Sequence, residues 1–196
     1  MNLQFLQDVY LAIPLTPATP AFLSGRAVEG GFDQACQGGR LVGAIPHNSS
    51  LCSLVISNIS NGTSFPKWPY LPRLNPLHIR HCKDLMSLCE EVPFQGLTFL
   101  KLLSIQCCPS LLTLPHEGLP KTVECLTISR GASLESLGPK DVLKSLSFLN
   151  DLYIEDCPKL KSLPEEGISP TLQHVVIQGC PLLMERCRNE KGGGLD

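Results

Sequence analysis

The chain has 196 residues, of which 43% are hydrophobic and 17% are charged, and its formal net charge is -2. This balance predicts a protein with a buried core and argues against an intrinsically disordered chain. The near-neutral charge argues against nucleic acid as a partner, and no apolar run reaches the roughly 18 residues that a membrane span needs.

The first 50 residues do not follow the pattern of the rest of the chain. Pro14, Pro17 and Pro20 interrupt any continuous apolar helix, and six glycines between positions 24 and 43 indicate a loop. The first basic residue is Arg26, which argues against a secretory signal peptide. We therefore predict that residues 1–50 are a diverged or truncated repeat with an irregular Gly/Pro-rich segment.

From residue 51 onward the apolar residues recur in a fixed frame. The clearest copy, LNDLYIEDCPKLKSLP at residues 149–164, reads L-x-x-L-x-I-x-x-C-x-x-L-x-x-L. Six copies begin near residues 51, 74, 100, 123, 149 and 172, so that short and long repeats alternate. The isoleucine of the frame recurs in each of them, as Ile56, Ile79, Ile105, Ile128, Ile154 and Ile177. This pattern is typical of leucine-rich repeats, in which neighbouring repeats share one core. The sequence thus predicts that residues 51–196 form an α/β solenoid of the leucine-rich-repeat type.

Each repeat is predicted to contribute one short strand, and the strands should stack as a parallel sheet on the concave face of a horseshoe or arc. The convex face should consist mostly of turns and short helical pieces, because Pro and Gly punctuate the segments 114–120 and 163–170. Two apolar residues of each strand, two positions apart, should face the core. These pairs are Leu54/Ile56, Leu77/Ile79, Leu103/Ile105, Leu126/Ile128, Leu152/Ile154 and Val175/Ile177.

Four of the ten cysteines occupy one position of the repeat, directly after the strand. A thiol is small and weakly polar, so a buried, reduced cysteine is acceptable there. The other cysteines show no C-x-x-C spacing, and in the H-x-x-H-C motif at residues 78–82 the first and last side chains should face opposite sides. We expect no metal site and no cofactor, and we assign a structural role to Cys82, Cys108, Cys157 and Cys180.

Motifs for catalysis are missing from the sequence. It contains no G-x-x-x-x-G-K-[ST] phosphate-binding loop and no G-x-S-x-G nucleophile elbow. Its adjacent carboxylates, such as Glu165 and Glu166, are more typical of solvated turns than of acid/base catalysis. We therefore assign no catalytic residues and expect a protein that is not an enzyme.

Strand residues that point away from the core contribute little to folding and are candidates for a binding surface. Tyr153 is the one aromatic residue at these positions, and Tyr and Arg are over-represented in binding hot spots. We hypothesise that Tyr153, Arg130, Asp151 and Glu155 form the centre of a protein-binding surface. The full set of candidate binding residues is His78, Arg80, His81, Gln106, Thr127, Arg130, Asp151, Tyr153, Glu155 and Gln178.

Several copies of the repeat carry a family resemblance. The segments LHIRHCKDLMSL, LSIQCCPSLLTLP, LYIEDCPKLKSLP and VVIQGCPLLMERC resemble the C-terminal leucine-rich repeats of plant intracellular nucleotide-binding disease-resistance receptors, closest to their coiled-coil class. The resemblance covers about residues 51–196 and does not extend to residues 1–50. It implies a cytoplasmic, non-catalytic recognition module of innate immunity that binds a pathogen effector or host protein, or restrains a nucleotide-binding core. We expect the module to be a monomer in isolation.

Two other interpretations stay open at this point. The sequons at Asn48, Asn58 and Asn61 would suit an extracellular leucine-rich-repeat receptor or inhibitor domain, if they carry glycans. Alternatively, the chain is a truncated receptor fragment without an independent function. Occupancy of the sequons would favour the first interpretation, and instability of the isolated chain would favour the second.

Overall fold

The computed structural model describes residues 8–12, 22–23, 51–58, 64, 70–88, 94, 96–115, 119–138, 141–164 and 169–191. Within these ranges the chain forms eight strands and two helices. The strands are β1 (Asp8–Ala12), β2 (Phe22–Leu23), β3 (Ser53–Ser57), β4 (Leu77–Arg80), β5 (Leu102–Gln106), β6 (Cys125–Ser129), β7 (Asp151–Glu155) and β8 (His174–Gln178). Helix α1 (Val142–Ser145) lies between β6 and β7 in sequence, and α2 (Pro181–Lys191) follows β8.

All eight strands belong to one sheet with the order β2-β1-β3-β4-β5-β6-β7-β8. From β3 to β8 each strand pairs in parallel with the next strand of the chain, so the polypeptide advances by one strand per turn. Equivalent repeat positions lie side by side, as Ile128 does with Ile154. The predicted solenoid with a parallel sheet is therefore confirmed.

The segment before residue 51 also contributes to the sheet. Strand β1 pairs in parallel with β3, so it stands where a preceding repeat would place its strand. Strand β2 pairs with β1 in the antiparallel direction. The other residues predicted here as an irregular segment lie outside the described residues.

Alternation along each strand separates the core from the solvent side. In β6, Leu126 and Ile128 are buried, whereas Cys125, Thr127 and Ser129 are half-buried. Branched apolar residues suit a pleated surface that is buried on one side, which explains why these segments form strands. The buried residues of β3–β7 join those of the returning segments in one core that extends from Leu51 to Leu183. Helix α1 adds Val142 and Leu143 to this core, so it packs on the side opposite the half-buried strand residues.

The residue after each of the strands β3–β8 has a left-handed backbone conformation. We call these residues, whose φ angles lie between 53° and 64°, the corner row: Asn58, His81, Cys107, Arg130, Asp156 and Gly179. The chain turns away from the sheet here without losing a backbone hydrogen bond after β3–β7, because the N–H of each of these five corner residues still donates to the neighbouring strand. The N–H of Arg130, for example, donates to the carbonyl oxygen of Glu155 at 2.9 Å.

The four repeat cysteines directly follow the corner row and are buried. Each thiol donates to the carbonyl oxygen of the last strand residue, as Cys157 Sγ does to Glu155 O at 3.4 Å. Gly131 holds the equivalent position between Cys108 and Cys157, and a Cβ there would lie 3.3 Å from Cys157 Sγ. Burial raises the pKa of Cys157 to about 11. These thiols thus act as small core residues that also satisfy backbone carbonyls.

A second set of hydrogen bonds links the segments that precede neighbouring strands. Thr122 Oγ1 donates to Leu100 O, and Thr171 Oγ1 donates to Leu149 O, both at 2.8 Å. In each case the bond joins residues 22 positions apart, and so it crosses one of the shorter repeats. The hydroxyls therefore satisfy carbonyls that no strand ladder reaches.

The prediction that Val175 is buried is wrong. Its exposed fraction is 45%, whereas the equivalent Leu152 of the preceding strand is fully buried. Strand β8 is the last strand of the sheet, so no further strand within the described residues shields the core beside it. Ile177, the other predicted core residue of β8, is partly buried and packs against the core.

Parts of the predicted convex face cannot be compared with the structure. Residues 116–118 and 165–168, at the centres of the two Pro/Gly-punctuated turns, lie outside the described residues. The returning segments that are described contain turns and the single short helix α1. Among the described helices, neither has the length and apolar character needed to cross a membrane.

Candidate protein-binding face

The half-buried side of the sheet presents three rows of side chains in register. We call this surface the outward sheet face and define it by the alternate residues of β3–β8 that point away from the core. Its central row is Val55, His78, Ser104, Thr127, Tyr153 and Val176. The row at the carboxyl ends of the strands is Ser57, Arg80, Gln106, Ser129, Glu155 and Gln178. The row at the amino ends includes Leu102, Cys125, Asp151 and His174.

The structure brings the ten predicted binding residues to one side of the molecule. Eight of them lie on the outward sheet face, where all are half-buried except the exposed Gln178. The other two, His81 and Arg130, are exposed members of the corner row. Together they span β4 to β8, so the predicted set forms a continuous band rather than scattered positions.

Tyr153 lies in the central row of the outward sheet face, on β7, one strand before the end of this band. Its neighbours in register are Thr127 on β6 and Val176 on β8. Val176 is 39% exposed, so an apolar side chain with an accessible surface stands beside the half-buried tyrosine. An aromatic residue held between two strands loses little conformational freedom when a partner packs on it, as hot-spot residues require.

The acidic residues of the predicted centre have different environments. Asp151 Oδ1 lies 2.8 Å from Nδ1 of His174, the equivalent residue of the next strand, so this carboxylate already has a partner. Glu155 is half-buried and Asp156 beside it is exposed. Neither Glu155 nor Asp156 forms an ion pair within the described part of the chain.

Arg130 does not pair with these carboxylates, although its corner position adjoins that of Asp156. Its Nη1 atom lies 3.9 Å from Sγ of Cys107, the corner residue on the opposite side. The guanidinium therefore extends toward β5 and away from β7. The four residues predicted as a centre share one surface, but their charges remain separated.

Arg80 supplies positive charge to the outward sheet face, and His78 lies two residues before it on β4. Burial lowers the pKa of His78, and the positive charge of Arg80 lowers it further. The neutral form of His78 is therefore favoured. The Nδ1 atom of His78 and the Nε atom of Arg80 are buried and have no hydrogen-bond partner among the described residues. Buried polar atoms normally have a partner, so these two mark a place where the fold alone does not satisfy its polar groups.

Ser104 differs from the expectation for an outward residue, because it is only 3% exposed. Its register neighbours are His78 and Thr127, whose longer side chains flank the short hydroxymethyl group. The pleat places Ser104 on the outward sheet face, but its neighbours cover it. It therefore contributes to the floor of the surface rather than to its accessible rim.

Sequence reasoning missed the ion pairs between neighbouring repeats. Lys101 Nζ lies 2.9 Å from Glu124 Oε1, and Lys161 Nζ lies 2.8 Å from Glu135 Oε2. Each pair joins equivalent positions of two successive repeats, as Asp151 and His174 do, so the signal was present in the repeat period. Opposite charges at the same position of successive repeats allow such a pair, because the register places equivalent residues side by side, although Arg130 and Asp156 do not form one.

The described residues hold no group of three or more His, Cys, Asp or Glu side chains arranged to bind a metal ion. His78 lies on the outward sheet face while Cys82 is buried, so the H-x-x-H-C motif is split between two sides. What the surface offers is hydrogen-bonding side chains, two separated groups of charge and one central aromatic ring. Comparison with family models, curated proteins and solved structures finds no match for this chain.

Proposed function

We propose that the chain is a non-catalytic, leucine-rich-repeat recognition module of a plant intracellular disease-resistance receptor. The repeat motifs support the family, because their L-x-I-x-x-C-P-x-L segments resemble the repeats of that class. The alternation of short and long repeats and the parallel sheet are compatible with such an array.

The outward sheet face is the observation that carries the proposal. Its side chains are separate from the core, so they can vary without loss of the fold, and they lie in register over six strands. A broad surface of this kind suits a folded protein or an extended segment better than a small molecule, which prefers a concave apolar pocket. In the proposed role it binds a pathogen effector or host target, or it contacts the nucleotide-binding core of a receptor and restrains it.

The proposed compartment is the cytoplasm. The four repeat thiols are buried, and each donates a hydrogen bond to a backbone carbonyl, which requires the protonated and reduced form. A reducing compartment keeps cysteines in that form. This chemistry supports the cytoplasmic proposal over the extracellular one.

Co-precipitation from plant cells tests the proposal. The chain would be expressed beside a coiled-coil nucleotide-binding core of a related receptor, and the amount of core that it retains would be measured. Replacement of Tyr153 and Arg130 by Ala should reduce association with the nucleotide-binding core. It removes an aromatic ring and a nearby charge from the outward sheet face and leaves the hydrophobic core of the repeats unchanged. The matched control replaces Phe148 and Lys144, an exposed aromatic residue and an exposed charge away from the outward sheet face.

Three outcomes of the co-precipitation experiment would contradict the proposal. Equal retention of the core by the double variant and by the control would overturn the assignment of the outward sheet face. Absence of association, together with secreted material that carries glycans at Asn58, would favour an extracellular receptor or inhibitor domain. An aggregated chain without association would favour a receptor fragment that has no function of its own.

A further inference from the structure

Charge is unevenly distributed along the outward sheet face and the corner row. The basic residues Arg80 and Arg130 occupy the part that extends from β4 to β6, and the Arg130 side chain extends further toward β5. The acidic residues Glu155 and Asp156 lie at the end of β7. At the strand ends between Arg80 and Glu155, the sheet carries the neutral side chains of Gln106 and Ser129.

These charges form no ion pair within the described part of the chain, and this sets them apart from others near them. Opposite charges on neighbouring repeats form ion pairs at other positions, as in Lys101–Glu124 and Lys161–Glu135. Among the residues that the structure describes, no such pair involves the two arginines, Glu155 or Asp156. Arg80 is half-buried and its Nε atom has no partner among the described residues, so part of its charged group has lost water without gaining a hydrogen bond there.

We infer that this face binds an extended segment of a partner protein that places an acidic side chain against Arg80 and a basic side chain against Glu155. The inference rests on the proposed recognition function and specifies the chemistry of its partner. A carboxylate can satisfy an arginine with paired hydrogen bonds, and a partner cation would form a charge-assisted contact with Glu155. Complementary charge also excludes partners with the wrong pattern, and it thereby provides specificity.

The spacing of the two charges defines the segment further. Arg80 and Glu155 occupy equivalent positions of β4 and β7, which are three strand intervals apart. At ~4.8 Å for each interval this separation is about 14 Å, and an extended chain spans it in about four residues at ~3.3 Å per residue. The segment therefore crosses the strands and carries its acidic and basic residues about four positions apart.

The side chains between the two charges suit the backbone of such a segment. Gln106 and Ser129 present an amide and a hydroxyl group, which can donate to and accept from a peptide backbone. Neither side chain is charged, and the charge nearest to the middle of the segment is that of Arg130, in the corner row directly after Ser129. Tyr153 lies one row away on β7. Its ring can pack against the residue that precedes or follows the basic residue of the partner segment.

Fluorescence anisotropy with labelled synthetic peptides tests the inference. The first peptide carries one Glu and one Arg about four residues apart in a neutral, proline-punctuated sequence that favours extended backbone. A second peptide has the same composition with the two charges adjacent, and further peptides carry two Glu or two Arg at the wider spacing. We expect the first peptide to bind about tenfold more tightly than the second, which corresponds to roughly one well-placed charge contact.

Charge reversal in the protein provides the specificity test. Arg80→Glu should abolish the preference for the first peptide and favour the peptide with two Arg, whereas Glu155→Arg should favour the peptide with two Glu. The matched controls are Lys144→Glu and Asp141→Arg, which make the same charge changes at exposed positions in and next to α1. Circular dichroism of each variant shows whether it retains the fold.

Equal binding of the two spacings would overturn the inference, as would charge-reversed variants that bind like the controls. Either result could occur while the Tyr153 and Arg130 double variant still fails to co-precipitate the nucleotide-binding core. The proposed recognition function would then be retained, but the charge pattern would not define the partner. Sedimentation of the unliganded chain adds a third outcome. A dimer that Arg80→Glu dissociates would mean that the face binds a second copy instead, and this also overturns the inference.

Discussion

Truncation of two equivalent isoleucines should reveal how strongly the core depends on having a strand on both sides. Ile154 on β7 and Ile177 on β8 occupy the same repeat position and pair in register. Ile154 is fully buried, whereas Ile177 is partly buried at the last strand of the sheet. Because the change to Ala is chemically identical at both sites, only the surroundings differ.

The expected costs follow from those surroundings. Around Ile154 the register partners Ile128 and Ile177 hold the neighbouring strands in place, so a cavity left by Ile154→Ala cannot collapse. Its cost should lie near about 3–4 kcal/mol, within the range measured for truncation of a large aliphatic residue in a core. Ile177→Ala removes less buried area and leaves a space that water can enter, so its cost should be about 1–2 kcal/mol.

Urea unfolding followed by circular dichroism measures the two costs. Ile128→Ala is the control, because Ile128 is also buried between two strands and should behave like Ile154. The slopes of the transitions must be compared as well, since a repeat array can unfold in parts. A loss of stability in Ile177→Ala as large as that in Ile154→Ala would contradict the reasoning, because it would mean that β8 is as enclosed as β7.

Two further predictions concern the thiols and the glycines. Since burial raises the pKa of Cys157 to about 11 from an ordinary value of 9.0, its contribution to stability is complete below pH 9 and is lost as the pH rises toward 11. Urea unfolding at several pH values should show that the free energy of unfolding of the wild type falls by about 2–3 kcal/mol more than that of Cys157→Ala over this interval. Parallel plots of unfolding free energy against pH for the two proteins would refute the raised pKa of Cys157. Gly179→Ala should destabilise the protein by about 1–2 kcal/mol or more, because φ is +64° and the new Cβ would meet Asp156. Gly131→Ala is the control, since that site lacks the left-handed φ, and thermal unfolding with equal shifts for both variants would contradict the argument.

The repeat period made most of the strand layout predictable. The regular recurrence of the frame isoleucine, from Ile56 to Ile177, placed β3–β8 side by side, and the alternation within each strand identified the core residues of β3–β7. The error at Val175 arose because the pattern treats every copy alike, whereas burial depends on what lies on either side. A periodic sequence describes a residue's place within its repeat but not the repeat's place in the array.

The backbone of the corner row was less predictable. Left-handed conformations are usually inferred from Gly or Asn, but His81, Cys107, Arg130 and Asp156 adopt them here. Only comparison of equivalent positions across the repeats, with Asn58 at one end and Gly179 at the other, hints at a shared conformation. The direction of the Arg130 side chain could not be predicted from the sequence either, because a long side chain can extend toward either neighbouring strand.

The threonine hydrogen bonds point to the unit by which such an array grows. Thr122 and Thr171 make the same bond to Leu100 and Leu149, and one long and one short repeat separate these two threonines. The translational unit is therefore a pair of turns rather than a single turn. Gain or loss of a whole pair keeps short and long turns in alternation. Gain or loss of a single turn places two short turns or two long turns next to each other. Duplication within a gene of this type would preserve the fold most readily in steps of two.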